Sequence, residues 1–384
     1  MTAANTAELV HRAQGLARGV LAQHAEKVDA EALWPAESLR AIADAGLLGL
    51  HVPERLGGHA QGLGALLRIT EELALGCSST AMCYGMHCVA SAVIVARATP
   101  YQEQRYLAPI AQGRHFTTLS LSEPGTGVHF YLPRVTFRAT GRGFVLKGEK
   151  SFITNGGYAD SYVVSAVADG DDLDPGTFSC LLVDAETTGL EWGPPWSGFG
   201  MRGNASRGLR LNLSSVPSVN LLGSEGDQVW YVFEVIAPYF LAAMTGVYLG
   251  VAQGALELAT AHLKSRIHDH TGQRLSHHAV LVEQIADMWR KIERTRQLAH
   301  HAARLGDEGA PNAGPALFAA KIDVAETAVE VTTAAMSLMG GRGFQQGGTL
   351  ARLLRDAQAA HVMAPTTHLL KTWLGRSALG EPLL

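Results

Sequence analysis

Three short runs hold the residues best able to do chemistry in this chain: LSEPGTG at 121–127, GEKSFITNGG at 148–157 and RDAQAAHVMAPTT at 355–367. In the first, Pro124 and two glycines force a tight turn at a strand end, and the turn exposes backbone N–H groups able to hold ring oxygens or a pyrophosphate. Standing alone it would be an ordinary β-turn with Ser122 as its local cap. In the second, strand alternation sets Phe152 and Thr154 on one side, so an aromatic face and a hydroxyl approach the same side of a flat ring system. The third ends in Met363-Ala364-Pro365, which contains no group able to accept a proton.

Other chemistries lack their residues. His277-His278 and His300-His301 are helical neighbours about 100° apart and cannot clamp one metal ion. His268 and His270 flank Asp269, but no further ligand of suitable spacing follows, so no metal is expected. No Ser-His-Asp order, GxxxxGK[ST] loop or EF-hand loop is present. The four cysteines, Cys77, Cys83, Cys88 and Cys180, form no CxxC pair, which suits reduced, buried thiols. Lys+Arg 31 against Asp+Glu 35 leaves a net charge of −4 without a basic stripe, so nucleic acid is not an expected partner.

These residues need a scaffold, and 384 residues exceed what one small core organises. With 47% hydrophobic and 17% charged residues the chain folds into a large interior, and self-association is expected to cover part of its surface. Residues 1–114 read as a helical domain, with ESLRAIADAGLLGL ended by Gly46, and Ser78-Ser79 capping an apolar helix from Thr80 to Ala98. Between 115 and 222 short strands follow one another without intervening helices, predicting a small antiparallel barrel or sandwich. Residues 223–384 return to helical spacing in four long segments, 227–265, 276–305, 312–340 and 350–378, which predict an up-down four-helix bundle. The fold class is therefore α+β. Val235 to Leu256 carries no formal charge over 22 residues, yet Pro238, Tyr239, Thr245, Tyr248 and Gln253 interrupt it, so a buried bundle helix is expected and not membrane insertion. The polar amino terminus does not read as an export signal, so a cytoplasmic location is expected.

This order, read with LSEPGTG, GEKSFITNGG, GMRGN, VNLLGSEGD, QIADM and MGGRGF before LLRDA, resembles the acyl-CoA dehydrogenase flavoprotein family over essentially the whole chain. The resemblance implies FAD as cofactor and an acyl thioester as substrate, carried by CoA or by an acyl carrier protein. It also implies a homotetrameric dimer of dimers and a separate flavoprotein as electron acceptor. It sets Leu121, Ser122, Gly127, Val128, Phe152, Thr154 and Thr366 around the flavin, with Thr154 at its reactive edge. Arg266, Gly340 and Gly341 correspond to positions that reach the adenosine and pyrophosphate of a neighbouring subunit's cofactor.

The chain departs from the family where chemistry matters. After the Glu-Pro-Gly turn, Val128 and His129 stand where Ser and Asp are frequent, and Phe152 replaces a common Trp. The family's base is a glutamate in a Tyr-Glu-Gly run; counted from Arg355-Asp356-Ala357 that place is Ala364, with Pro365 at the glycine. A second branch carries its glutamate on the first bundle helix, where about Phe240 stands here. Three explanations compete: a relocated base (His87, Tyr239 or His361), desaturation at an unusual position in a biosynthetic route of secondary metabolism, or a flavin-dependent monooxygenase or N-hydroxylase on the same scaffold. A catalytically inactive flavin-binding subunit is a further alternative.

Overall fold

Local sequence decides where the helices of the first block start and stop. A computed structural model describes residues 4–170, 175–226 and 229–383. Asn5 caps α1 (Thr6–Leu16), its Oδ1 accepting from the Glu8 N–H. Helices α2 (Ala22–Ala30) and α3 (Ala36–Asp44) follow, and Gly46 takes the left-handed conformation (φ 76°) that ends α3. Two longer helices, α4 (Leu63–Gly76) and α5 (Ser78–Arg97), form the inner layer, and all but the last turn of α5 is buried. The Ser78-Ser79 cap is not made: both serines lie inside the first turn of α5, where Ser78 Oγ bonds Asp356 and Ser79 Oγ accepts from the Gly203 N–H at 3.2 Å. Two short pieces, α6 (Pro100–Gln102) and α7 (Ala108–Ala111), lead into the sheet.

The strands are β1 (Thr117–Ser120), β2 (Thr136–Thr140), β3 (Gly143–Ile153), β4 (Ser161–Ala168), β5 (Ser179–Asp184), β6 (Leu190–Trp192), β7 (Arg207–Pro217) and β8 (Leu221–Leu222). They join in the order β6-β7-β3-β2-β4-β5-β8, with β1 also on β4. The expected antiparallel barrel or sandwich needs correction, because the sheet is open and mixed: β1 and β2 both run parallel to β4. They pair with consecutive stretches of it, Thr117–Ser120 with Ser161–Val164 and Thr136–Phe137 with Val167–Ala168. Between them the chain leaves the sheet at 121–135, and that excursion contains the LSEPGTG turn.

The third block starts with α8 (Val229–Tyr231) and a π-turn (Val232–Ile236) that runs into α9 (Ala237–Ser265). Asp227 and Gln228, where the first bundle helix was expected to begin, lie outside the described residues. Helices α10 (Ala279–Asp307) and α11 (Ala313–Met339) complete the long part of the bundle. Gly246 and Gly250 let α9 lie directly on α4, since a Cβ at either would fall 2.2 Å from the Leu67 carbonyl oxygen or 2.3 Å from that of Glu71. The expected single helix over 350–378 is two, α12 (Thr349–Val362) and α13 (Thr367–Leu379). Pro365 lacks an N–H and restricts the residue before it, and Thr366 restarts the chain as N-cap, its Oγ1 accepting from the Leu369 N–H. The apolar stretches of α5 and α9 are long enough to cross a bilayer, but 83% and 89% of them are buried inside the fold.

Candidate active site

The excursion at 121–135 is fixed by one buried ion pair. Lys150 of β3 donates through Nζ to Glu123 Oε1 (2.6 Å), to Ser165 Oγ (2.9 Å) and to the Leu121 carbonyl (3.2 Å). The Glu123 carboxylate also accepts from the backbone N–H of Arg134 (2.7 Å) and Val135 (3.2 Å), so it closes both ends of the loop. Burial lowers the Lys150 pKa while the adjacent carboxylate opposes that shift, and the fully hydrogen-bonded geometry is what allows both charges in the interior. Neither residue is singled out by the sequence motifs as a positioning group, although both belong to them. The Ser151 N–H donates to the Ser122 carbonyl at 2.8 Å, joining the turn to the second motif.

That second motif does not alternate simply. The β3–β7 register shifts between Lys150 and Ile153, and Phe152 adopts φ 54°. Phe152 therefore stands 70% exposed, with Trp196 edge-on at 6.4 Å, while Thr154 is buried with Oγ1 3.5 Å from Ser206 Oγ. Simple strand alternation therefore does not describe this stretch, in which Phe152 is exposed and Thr154, just past the end of β3, is buried. The Thr154 carbonyl accepts from Thr118 Oγ1 at 2.9 Å. An aromatic face held outward by a left-handed backbone, the sealed and unpartnered Ser120 Oγ, and the open space around Gly127 (φ 56°) beside half-buried Val128 fit a flat, polar-edged cofactor such as a flavin.

Beside Phe152 lies a cavity of about 60 Å³, walled by Met86, Leu119, Leu121, Ser122, Phe130, Ser151, Ile153, Ile236, Ala237, Phe240, Ala364 and Pro365. Ala364, from the break between α12 and α13, and Phe240 of α9 meet at this one cavity, and among the described residues its polar side chains are Ser122 and Ser151 alone. The break between α12 and α13 delivers Ala364. Two contacts set its approach: Tyr248 of α9 donates through its hydroxyl to Met363 Sδ at 3.1 Å, and buried Lys321 of α11 donates to the Ala360 carbonyl at the end of α12. Burial brings the Lys321 pKa down to about 8.

None of the three substitute bases lines this cavity. His87 is fully buried, its Nε2 donating to the Leu48 carbonyl (3.1 Å) and its Nδ1 accepting from the Thr117 N–H (3.1 Å), and burial lowers its pKa to about 3. His361 Nδ1 is 3.1 Å from Thr367 Oγ1, and burial and then Lys321 lower its pKa. Tyr239 lines a separate cavity of about 1210 Å³ that adjoins the small one at Ala237, and burial raises its pKa. There it meets His51 edge-to-face at 4.7 Å. His51 escaped the sequence reading because GLHVPE carries no catalytic pattern. Its Nδ1 donates to the Gln61 carbonyl at 2.7 Å, which leaves Nε2 unprotonated and without a partner, and burial lowers its pKa to about 4.

Thr366 is half-buried beside the cavity as the α13 cap. Arg266, at the C-cap of α9, and Gly340 and Gly341, just after α11, are exposed at the other end of the bundle. Arg266 lies 26 residues beyond Phe240, about 39 Å along the helix axis. The His268 ring lies 5.4 Å from that of His270 and 5.5 Å from that of His278, but no metal-holding group of three ligands exists among the described residues. All four cysteines are buried and free.

The comparisons follow the three blocks. Residues 4–114, 118–213 and 241–379 match the models of the acyl-CoA dehydrogenase N-terminal, middle and C-terminal domains. A cyclohex-1-ene-1-carbonyl-CoA dehydrogenase of Geobacter metallireducens is 31% identical over 362 residues, covering 94% of each chain. Among solved structures, butyryl-CoA dehydrogenase of Megasphaera elsdenii aligns with a TM-score of 0.91 at 24% identity, covering 97% of this chain and 98% of that one. The FAD complex of PigA aligns with a TM-score of 0.88 at 21% identity over 99% of both chains. From its domain order, its motifs and these matches, the chain belongs to the acyl-CoA dehydrogenase family.

Proposed function

We infer that this protein is an FAD-dependent dehydrogenase of an acyl thioester, CoA- or carrier-protein-linked, that works without a side-chain base at either position its family uses. The observation that carries this reading is the cavity beside Phe152, where Ala364 and Phe240 meet and no titratable side chain is present. Phe152, Ser122, Leu121, Gly127 and Val128 would hold the flavin ring and its phosphates, Thr154 would lie at its edge, and Thr366 would close the side next to Ala364. Bound FAD would supply an acceptor for substrate hydride, and the proton lost from the neighbouring carbon would leave to water in the larger cavity that adjoins this one at Ala237. The chain's own part is to exclude water with Met86, Phe130, Ile236 and Phe240, and to offer the main-chain N–H at Ala364 to the thioester carbonyl, a donor that survives the loss of glutamate. Without a carboxylate near the α-carbon, desaturation at another place on the acyl group fits the lining better, and such a reaction belongs to biosynthesis. The substrate of the Geobacter relative, a cyclic acyl-CoA, supports a compact acyl group in so small a cavity. Arg266, Gly340 and Gly341 would serve the cofactor of a neighbouring subunit in a dimer of dimers, electrons would leave to a separate flavoprotein, and the enzyme would work in the cytoplasm.

Anaerobic mixing of the FAD-loaded protein with acyl-CoA and with acyl carrier protein thioesters tests the reading. Loss of the flavin's visible absorbance on adding a thioester alone is expected. Bleaching only with an added reductase, followed by oxygen uptake, would replace it with a hydroxylase, and no response to either treatment would leave a non-catalytic flavin carrier.

A further inference from the structure

The small cavity beside Phe152 shares a wall residue, Ala237, with the cavity of about 1210 Å³. At about 60 Å³ the small one has no room for the arm that carries a thioester, so the arm has to lie in the large one. Glu234, Pro238 and Leu241, around the start of α9, line the large cavity, and exposed Asp307 and Glu381 stand at its mouth.

The formal charge of this lining has one sign. Glu234, Asp307 and Glu381 line the cavity, and among the described residues no lysine or arginine does. His51 adds no positive charge at neutral pH, since burial lowers its pKa to about 4. The arginines next to lining residues are held by other groups: Arg55 pairs with Glu103, Arg304 donates to both oxygens of Glu308 at 2.8 and 2.9 Å, and Arg376 donates to the Leu383 carbonyl at 3.0 Å. A neighbouring groove shares Gln61, Gly62 and Asp307 with the cavity and sets Arg68 and Arg304 against Asp307 and Glu308, so it supplies no excess of cations. Asp307 is fixed at this junction because its carboxylate caps α4, accepting from the Leu63 N–H at 2.6 Å and the Gly64 N–H at 3.0 Å.

A cleft lined by one sign of charge disfavours ligands of that sign, and salt screens the effect. CoA adds a second backbone phosphate and a 3′-phosphate to the phosphopantetheine arm, whereas the same arm on a carrier protein ends in a single phosphodiester. Resting on the dehydrogenase reading above, we propose that the acyl group reaches this site on the phosphopantetheine arm of a carrier protein and not on CoA, with the arm in the large cavity and Glu234 and Glu381 disfavouring the nucleotide. Like-charge juxtaposition of this kind sets which partner is accepted more than it adds affinity for the right one.

Calorimetric titration of the FAD-loaded protein with 4′-phosphopantetheine and with free CoA tests this. Phosphopantetheine is expected to bind about tenfold more tightly than CoA at low salt, and the gap is expected to close as salt is raised. The double variant Glu234→Gln, Glu381→Gln, with both changes at exposed positions, should gain affinity for CoA several-fold and change little toward phosphopantetheine. The proposal is overturned if CoA binds as tightly as phosphopantetheine, if neither binds, or if the double variant keeps the parent's ratio of affinities. None of these results removes the dehydrogenase reading, which falls only when no thioester bleaches the flavin.

Discussion

At the scale of single residues, burial here disarms side chains that the sequence offers as chemistry. His87 looks like a base in a list of residues, yet both ring nitrogens are occupied by backbone groups, and that neighbour relation spans 30 and 39 positions of sequence. His51 and His87 both titrate below an ordinary histidine because the charged ring is excluded from the interior. The sign of the linkage follows: the unfolded chain takes up protons at about pH 6.5 and the folded chain only near 4 and 3. Their contribution is therefore complete above pH 6.5 and is lost as the pH falls through that window, roughly 3 kcal/mol for His51 by pH 4. Urea midpoints should drop between pH 6.5 and 4.5, and His87→Gln, which keeps a neutral donor and acceptor, should flatten that slope. An equal slope in the variant would show that other groups govern acid unfolding.

At the scale of elements, the three blocks were legible from periodicity, and the deviations from regular periodicity are where the site is built. The bulge before Ile153 puts Phe152 in a left-handed, exposed position, and nothing in KSFITN reveals a register shift that depends on pairing with β7. The open mixed sheet was hidden for a similar reason, since strands of four or five residues carry no signal for parallel against antiparallel partners. Segment 350–378 reads as one helix by its apolar spacing, but Pro365 and the Thr366 cap divide it and turn Ala364 toward Phe240. The restart makes a measurable claim. Thr366→Ala removes the side-chain acceptor for the Leu369 N–H and should cost about 1 kcal/mol of stability by chemical denaturation. Because the same cap orients the Ala364 main chain, turnover with a thioester should fall more than FAD content does. Unchanged turnover in a destabilised variant would separate the cap from the site.

At the scale of the whole molecule, the residues proposed to serve one cofactor stand, within one chain, at places that cannot meet. Phe152 and Ala364 lie at the start of α9, while Arg266 lies about 39 Å farther along that helix and Gly340 and Gly341 end α11 at the same remote end. The face that would bring a second copy into reach is on α10, where Val282 and Trp289, two turns apart on one face, are 49% and 58% exposed, with Val280 exposed nearby and Ile285 between them half-buried against the core. An apolar row of this kind on a long helix is what an association interface requires and what a lone chain in water would not retain without cost. Trp289→Glu places a charge on this face, which the associated state can accommodate only by desolvating a carboxylate without a partner. The variant should run as a smaller species in sedimentation, keep its helical circular dichroism, and lose most of its FAD, while Arg266→Ala should lose FAD with its association intact. A Trp289→Glu protein that dissociates yet keeps a full complement of FAD would show that each chain grips its cofactor alone, and the assignment of Arg266, Gly340 and Gly341 to a neighbour's cofactor would fall with it.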